Sequence, residues 1–263
     1  HLLVNDYHVQ QGDRVAISMR NYPEWIMAFT AVTSIGAIAV TLNALWSTEE
    51  IEYGLNHSGA KILLADQERI DRVQSVYQSA GVRVIAVRPE KPLPEDIPVL
   101  EDLLSSIAPC DMPEATVGPN DDATILFTSG STGHPKGAVS CHRNIITALM
   151  SWELDQRSAM LVAGIEPPKN DYQLATLLAV PLFHATGSHA VYLSSYRSQR
   201  KLVSMYRWNA TVAAELIEQE KIASFVAPAA MTGDLVEVAK QTNRDLSTLA
   251  SVGGGGAPRA PEQ

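Results

Sequence analysis

Short apolar runs alternate with helix-patterned segments along almost the whole chain, and this alternation restricts the architecture more than any other feature. Strands are expected over residues 14–19, 37–42, 61–65 and 82–87, with helices over 23–34 and 68–79. Thr48 is placed to cap a further helix whose first turn carries Glu49, Glu50 and Glu52. Carboxylates suit that end of a helix because its free N–H groups and dipole attract negative charge. A β-α-β rhythm of this kind predicts a mostly parallel sheet flanked by helices. The second half repeats it, with helices over 143–157, 187–195, 210–220 and 229–241 and strands over 172–180, 201–206, 222–226 and 248–252. Pro89, Pro92, Pro94 and Pro98 mark a surface excursion, and residues 108–120 form a second loose stretch. The expected division therefore falls there, giving a first α/β subdomain over 1–120 and a second over 121–263. A chain of 263 residues is long enough to bury a sizeable core.

One segment carries chemistry. The apolar run Ala123-Thr-Ile-Leu-Phe127 passes directly into Thr128-Ser-Gly-Ser-Thr-Gly-His-Pro-Lys-Gly137, and a second apolar stretch follows at Ala138 and Val139. Glycines let backbone curl toward a ligand, and successive N–H groups facing one way cradle an anion. Ser129, Ser131 and Thr132 add short donors, and Lys136 adds a point charge. The natural guest is a polyphosphate. The Walker pattern does not fit, because Pro135 stands where its second glycine belongs and Gly137 where its Ser/Thr belongs. A flexible linker of similar composition seldom joins two apolar strands with Pro-Lys-Gly at its exit.

Residues 128–137 resemble the phosphate-loop signature of the adenylate-forming superfamily, which includes acyl- and aryl-CoA synthetases. Other segments agree in the same order. Gly12-Asp-Arg-Val-Ala-Ile17 resembles the first strand region, and Gly36-Ala-Ile-Ala-Val-Thr-Leu-Asn43 a segment that usually has proline where Thr41 stands. Pro181-Leu-Phe-His-Ala-Thr-Gly187 resembles the acyl-pocket motif, and Asp245-Leu-Ser-Thr-Leu249 with Gly255-Gly-Ala-Pro258 the adenine-side segment.

The resemblance implies an incomplete N-terminal domain of that family, an α/β fold with two subdomains of mostly parallel sheet. It implies that the full-length protein is an acid–thiol ligase using ATP, Mg2+ and CoA. Thr128, Ser129, Gly130, Ser131, Thr132, Gly133 and Lys136 would then serve the ATP phosphates, with Thr128, Lys136 and His184 as the catalytic set. Gly255, Gly256, Ala257 and Pro258 would line the adenine slot, and Pro228-Ala-Ala-Met231 the pantetheine tunnel. His184 is expected to shape the mouth of the acyl channel. His189 reads as helix filler, and His142 is split evenly between substrate contact and structure. No residue of the chain is assigned to metal. The family's metal-binding glutamate and the lid domain with its catalytic lysine would follow residue 263, so this chain alone is expected to be inactive.

The remaining bounds are compositional. A net charge of −9 without a basic run argues against nucleic acid as partner. Two cysteines, Cys110 and Cys141, without metal spacing point to a reducing, cytoplasmic setting, and Cys141 reads as a small buried residue after a strand. No run approaches the ~18 apolar residues of a membrane helix. An amino-acid substrate would need a buried carboxylate for its ammonium. None lies between Pro181 and Leu193, so a neutral carboxylic acid is the expected substrate. A non-catalytic nucleotide-binding fragment and adenylation of an aryl or amino acid for another acceptor stay open, as does a homodimer.

Overall fold

The computed structural model describes residues 1–128, 134–165 and 171–254. It divides into two compact units, His1–Ile145 and Ile146–Gln263. The first is built on a six-stranded sheet, order β4-β3-β1-β2-β5-β6, formed by β1 (Arg14–Ser18), β2 (Ile38–Thr41), β3 (Ile62–Asp66), β4 (Arg83–Val87), β5 (Asp122–Phe127) and β6 (Gly137–Cys141). All neighbours are parallel except β5 and β6, which pair antiparallel. The connecting helices are α1 (Pro23–Ser34), α2 (Thr48–Ser58), α3 (Gln67–Val73) and α4 (Leu100–Ser105). Strands β2 and β3 are buried along their whole length. They read as continuous apolar runs because parallel strands covered on both faces have no solvent side. One core cluster unites Val40, Leu42, Trp46, Ile51, Leu55, Leu63, Ile70 and Val84, with Phe127 packed against it.

The second unit carries a four-stranded parallel sheet, order β10-β9-β7-β8, from β7 (Ala175–Leu178), β8 (Lys201–Ser204), β9 (Ile222–Ala227) and β10 (Ser251–Gly254). Its other elements are a π-helical segment, Thr186–Leu193, then α6 (Ser194–Arg197), α7 (Ala210–Glu220) and α8 (Ala229–Thr242). The long helix α5 (His142–Val162) contains the division between the units.

Several expectations shift. The division lies at 145/146 and not near 120, because β5 returns to pair with β2, Ala39 opposite Thr124. The cap of α2 is Ser47, not Thr48: its side chain accepts from Glu50 N–H and Glu50 reaches back to Ser47 N–H, at 3.4 and 2.8 Å. That reciprocal pair satisfies two otherwise orphan donors. Helix α3 ends at Val73, where the Val76 N–H turns to the Val73 carbonyl three residues back. The helix expected over 187–195 is a wider π turn followed by the short α6. Helix α4 had no counterpart among the expected elements.

Candidate active site

Strand β5 delivers the phosphate-loop candidate. Ala123 and Thr124 are buried, and the strand becomes accessible toward Phe127. Gly137 stands opposite Phe127 on β6. A Cβ there would lie 2.9 Å from Ile125 Cγ2, so the Ile125 side chain would have to give way to any larger residue. The structure brings Thr128 and Lys136 together as the closing pair. The Thr128 N–H donates to the Lys136 carbonyl at 2.9 Å and its hydroxyl to the same oxygen at 3.3 Å. A hydroxyl has one hydrogen, so Thr128 Oγ1 in this state can only accept from another group. Lys136 is exposed, and among the described residues no carboxylate pairs with its ammonium. Ser129, Gly130, Ser131, Thr132 and Gly133 lie outside the described residues.

Rings from α2 reach both ends of this segment. Tyr53 stacks on His134 with centroids 4.6 Å apart, and on His57 at 5.1 Å. His57 meets Phe127 at 6.3 Å, and Phe127 meets Trp46 edge-on at 5.1 Å. Sequence reasoning passed over Tyr53, His57 and His134, since nothing local links a helix to a loop so far along the chain.

Sheets of this type take ligands beyond the carboxyl ends of their strands, in the crevice where neighbouring connections leave in opposite directions. In the first unit that crevice lies between β1 and β3. There Asp66, at the end of β3, accepts from the Arg20 N–H beyond β1 at 3.1 Å and pairs with the buried Arg69, so its carboxylate already has structural partners. In the second unit it lies between β7 and β9, because β7 leads outward to β8 and β9 leads to β10. Beyond β7 comes the Pro181–Gly187 segment, and Pro228 caps α8 just beyond β9. The topology thus sets two of the sequence-flagged motifs side by side. The third begins beyond β10, which flanks β9; Gly255, Gly256, Ala257 and Pro258 themselves lie outside the described residues.

The turn holding His184 is tightly specified. The His184 N–H donates to the Pro181 carbonyl at 3.2 Å, and the His184 carbonyl accepts from the N–H and hydroxyl of Ser188, both at 3.0 Å. The Thr186 N–H donates to His184 Nδ1 at 3.2 Å. Nδ1 therefore holds no proton in the neutral ring, and Nε2–H is the free donor of an exposed imidazole. His184 belongs to the second unit and Thr128 and Lys136 to the first.

His189 is buried and bonded, not helix filler. Its Nδ1 lies 2.8 Å from Ser188 Oγ. That hydroxyl already donates to the His184 carbonyl, so Nδ1 is the donor here. Burial lowers the imidazole pKa below its ordinary 6.5. The unfolded chain then binds a proton more readily than the folded one. The stabilisation is full above the unfolded value and is lost as pH falls through about 6.5 toward the folded pKa. Urea unfolding at pH 7.5 and 5.5 should show wild type losing more stability on acidification than His189→Asn. Equal losses would show that His189 does not carry the effect.

The other flagged residues are plain. His142 begins α5, its N–H donating to the Asp121 carbonyl at 3.1 Å, while its Nε2 is buried without a partner among the described residues. Cys110 and Cys141 are free thiols; the Cys141 N–H and Sγ both meet Asn144 Oδ1, at 3.1 and 3.0 Å. Among the described residues no helix is long and apolar enough to cross a membrane.

Comparison with known proteins agrees with this geometry. The AMP-binding enzyme family model matches residues 1–263. The chain is 28% identical to 4-coumarate–CoA ligase 3 of Arabidopsis thaliana over 97% of its length and 43% of that protein. It is 29% identical to the long-chain-fatty-acid–CoA ligase FadD13 of Mycobacterium tuberculosis, over 95% of the chain and 46% of that protein. It thus spans about half the length of these curated relatives. Among solved structures, the inhibitor-bound N-terminal domain of FACL13 from Mycobacterium tuberculosis superposes with a TM-score of 0.80 at 27% identity, covering 99% of this chain and 61% of that one.

Proposed function

We propose, on the premise that this chain belongs to the AMP-binding enzyme family, that it is part of an acid–thiol ligase. In the full-length protein a carboxylate oxygen would attack the α-phosphorus of ATP. A new oxygen–phosphorus bond forms, the bond to the β-phosphate bridge breaks, and pyrophosphate leaves with the electron pair. The resulting acyl-adenylate would then pass its acyl group to the thiol of CoA, releasing AMP.

The observation that carries this reading is the β5–β6 hairpin, closed by Thr128 and Lys136 below a segment rich in glycine and hydroxyls. Two anions must approach each other in the first step, and fixed donors that meet developing negative charge lower that barrier most. Ser129, Gly130, Ser131, Thr132 and Gly133 are assigned to the phosphates with Thr128 and Lys136. Gly255, Gly256, Ala257 and Pro258 are assigned to adenine. His184, beyond β7 at the second sheet's crevice, is assigned to the mouth of the acyl and thiol channel.

Among the described residues no three His, Cys, Asp or Glu side chains gather into a metal-holding group. Mg2+ is proposed to arrive with ATP, since this ion is commonly held by substrate phosphates with one or two carboxylates. The acid is proposed to be neutral apart from its carboxylate, since Pro181–Leu193 contains no Asp or Glu. The relatives are named for both an aryl acid and long-chain fatty acids, and the crevice between β7 and β9 would set the choice. A cytoplasmic location and a lid domain following this one belong to the same proposal.

The test is acid-dependent ATP–pyrophosphate exchange by the full-length protein across aryl and aliphatic carboxylic acids. At least one acid should support exchange, and the Ser131→Ala/Thr132→Ala variant should lower its rate about a hundredfold or more. Exchange with no acid at all would overturn the reading. An unchanged rate in the double variant would remove these hydroxyls from it.

A further inference from the structure

We propose that Tyr53 and His57, on α2, are positioning residues that hold the phosphate loop in shape for the nucleotide. The proposal rests on the phosphate-loop reading of residues 128–136. Tyr53 and His57 are four residues apart on one helix, which sets their rings one above the other, and they stack at 5.1 Å with an interplanar angle of 13°. The outer face of Tyr53 carries His134 at 4.6 Å and 18°. On the other side His57 meets Phe127 at 6.3 Å. One short stack thus touches the residue just before the loop and a residue at its exit, both ends being fixed to the same helix.

The base of the stack is rigid. Helix α2 is capped by Ser47 and Glu50, and Ile51 and Leu55 are buried beneath it. The Trp46 carbonyl accepts from Arg72 Nη1 at 2.7 Å, and the Trp46 ring supports Phe127 from below. The stack itself adds little to that core, for Tyr53 is only half-buried and His57 and His134 are exposed. Its contacts run instead to the loop. Thr128 and Lys136 close the neck of the segment through the backbone. The rings add a second tether at His134, two residues before Lys136, which restricts where the lysine can point. Ordering a glycine-rich loop at the moment of binding costs affinity, and a loop ordered beforehand avoids that cost.

The test uses steady-state pyrophosphate release by the full-length protein, with ATP and the acid varied separately. Tyr53→Leu should raise the KM for ATP about fivefold, the size expected when an aromatic stack is lost. The KM for the acid and the melting temperature should stay put, and Tyr53→Phe should restore the wild-type value. His134→Ala, a change at an exposed position that leaves the core alone, should raise the KM for ATP alike. The Tyr53→Leu/His134→Ala double variant should add nothing further, because both remove one interaction. In parallel, NMR of histidine-labelled protein should show His134 ring protons shifted upfield by Tyr53 in wild type and Tyr53→Phe, and not in Tyr53→Leu. A lost shift with an unchanged KM for ATP would overturn the proposal, as would equal rises in both KM values or fully additive effects. A wild-type protein without ATP turnover would overturn the phosphate-loop reading instead, and the proposal with it, while the NMR shift would still report whether the stack exists.

Discussion

Arg69→Met is expected to destabilise the first unit by about 3–5 kcal/mol, because it leaves a buried carboxylate without its counter-charge. Arg69 is fully buried, and Asp66 is nearly so. The guanidinium donates Nε to Asp66 Oδ1 at 2.6 Å and Nη2 to Oδ2 at 2.7 Å. Its third nitrogen donates to the Ala44 carbonyl at 3.0 Å and pairs with Glu68 at 2.7 Å. Methionine fills much of the volume and supplies none of these donors. Asp66 would keep the N–H of Arg20 at 3.1 Å and the backbone N–H of residue 69 at 3.3 Å, which do not neutralise it. The pair also links the end of β3 to the turn after β2, so the loss would reach Trp46. Urea unfolding of wild type, Arg69→Met and Asp66→Leu/Arg69→Met measures this. The double variant should recover part of the loss, less the helix cap that Asp66 gives α3. A single-variant loss below about 1 kcal/mol would mean the site is solvated on demand and the charge never stranded.

The second large effect is expected at Gly187. A Cβ there would sit 2.1 Å from the Pro181 carbonyl oxygen and 2.6 Å from its carbon. Those atoms are main chain, and no rotamer change can move them aside. Gly187→Ala must therefore displace the π-helical segment from the turn before it. Overpacking of this kind costs about 1–3 kcal/mol, and more where backbone must shift. The displacement breaks the bonds that fix His184, from its N–H to Pro181 and from Ser188 to its carbonyl. Stability should fall, and acid-dependent activity should fall further than stability alone accounts for. The measurements are urea unfolding and the ATP–pyrophosphate exchange of the full-length protein. A Gly187→Ala protein with wild-type stability and exchange would show that the segment has slack to give.

The elements that sequence reading located well are those whose cause is local. Helix α7 was expected over 210–220 and occupies Ala210–Glu220, since its apolar spacing and the Asn209 cap lie within one stretch. The phosphate-loop candidate also has a local cause, because a backbone anion cradle has to be built from consecutive residues; of its residues the structure describes Thr128, His134, Pro135 and Lys136, and the phosphate role stays a proposal. Features with distant causes were not. The proline-rich stretch before β5 looks like a linker, and only the pairing of Thr124 with Ala39 shows that the first sheet continues past it. Gly187 could be read as part of a motif, but its reason is the Pro181 carbonyl six residues earlier. The α2 rings at His134 had no sequence signal, because neither histidine nor tyrosine has a pattern that points across a fold. His189 was misjudged for a similar cause: its burial comes from the surrounding unit, not from its neighbours in the chain.

The position of β5 in the first sheet also sets an order of events during synthesis. Strands β1 to β4 are complete by Val87, whereas β5 begins only at Asp122. Until those later residues leave the ribosome, Ala39, Val40 and Thr41 present open main-chain donors and acceptors along an apolar edge. An unpaired apolar edge is what another nascent chain can pair with, and closing a long gap is a slow step in folding. The hairpin that ends this interval is the one that carries the phosphate-loop candidate. Arrival of the candidate loop and protection of the sheet from aggregation are thus a single event in the life of the chain.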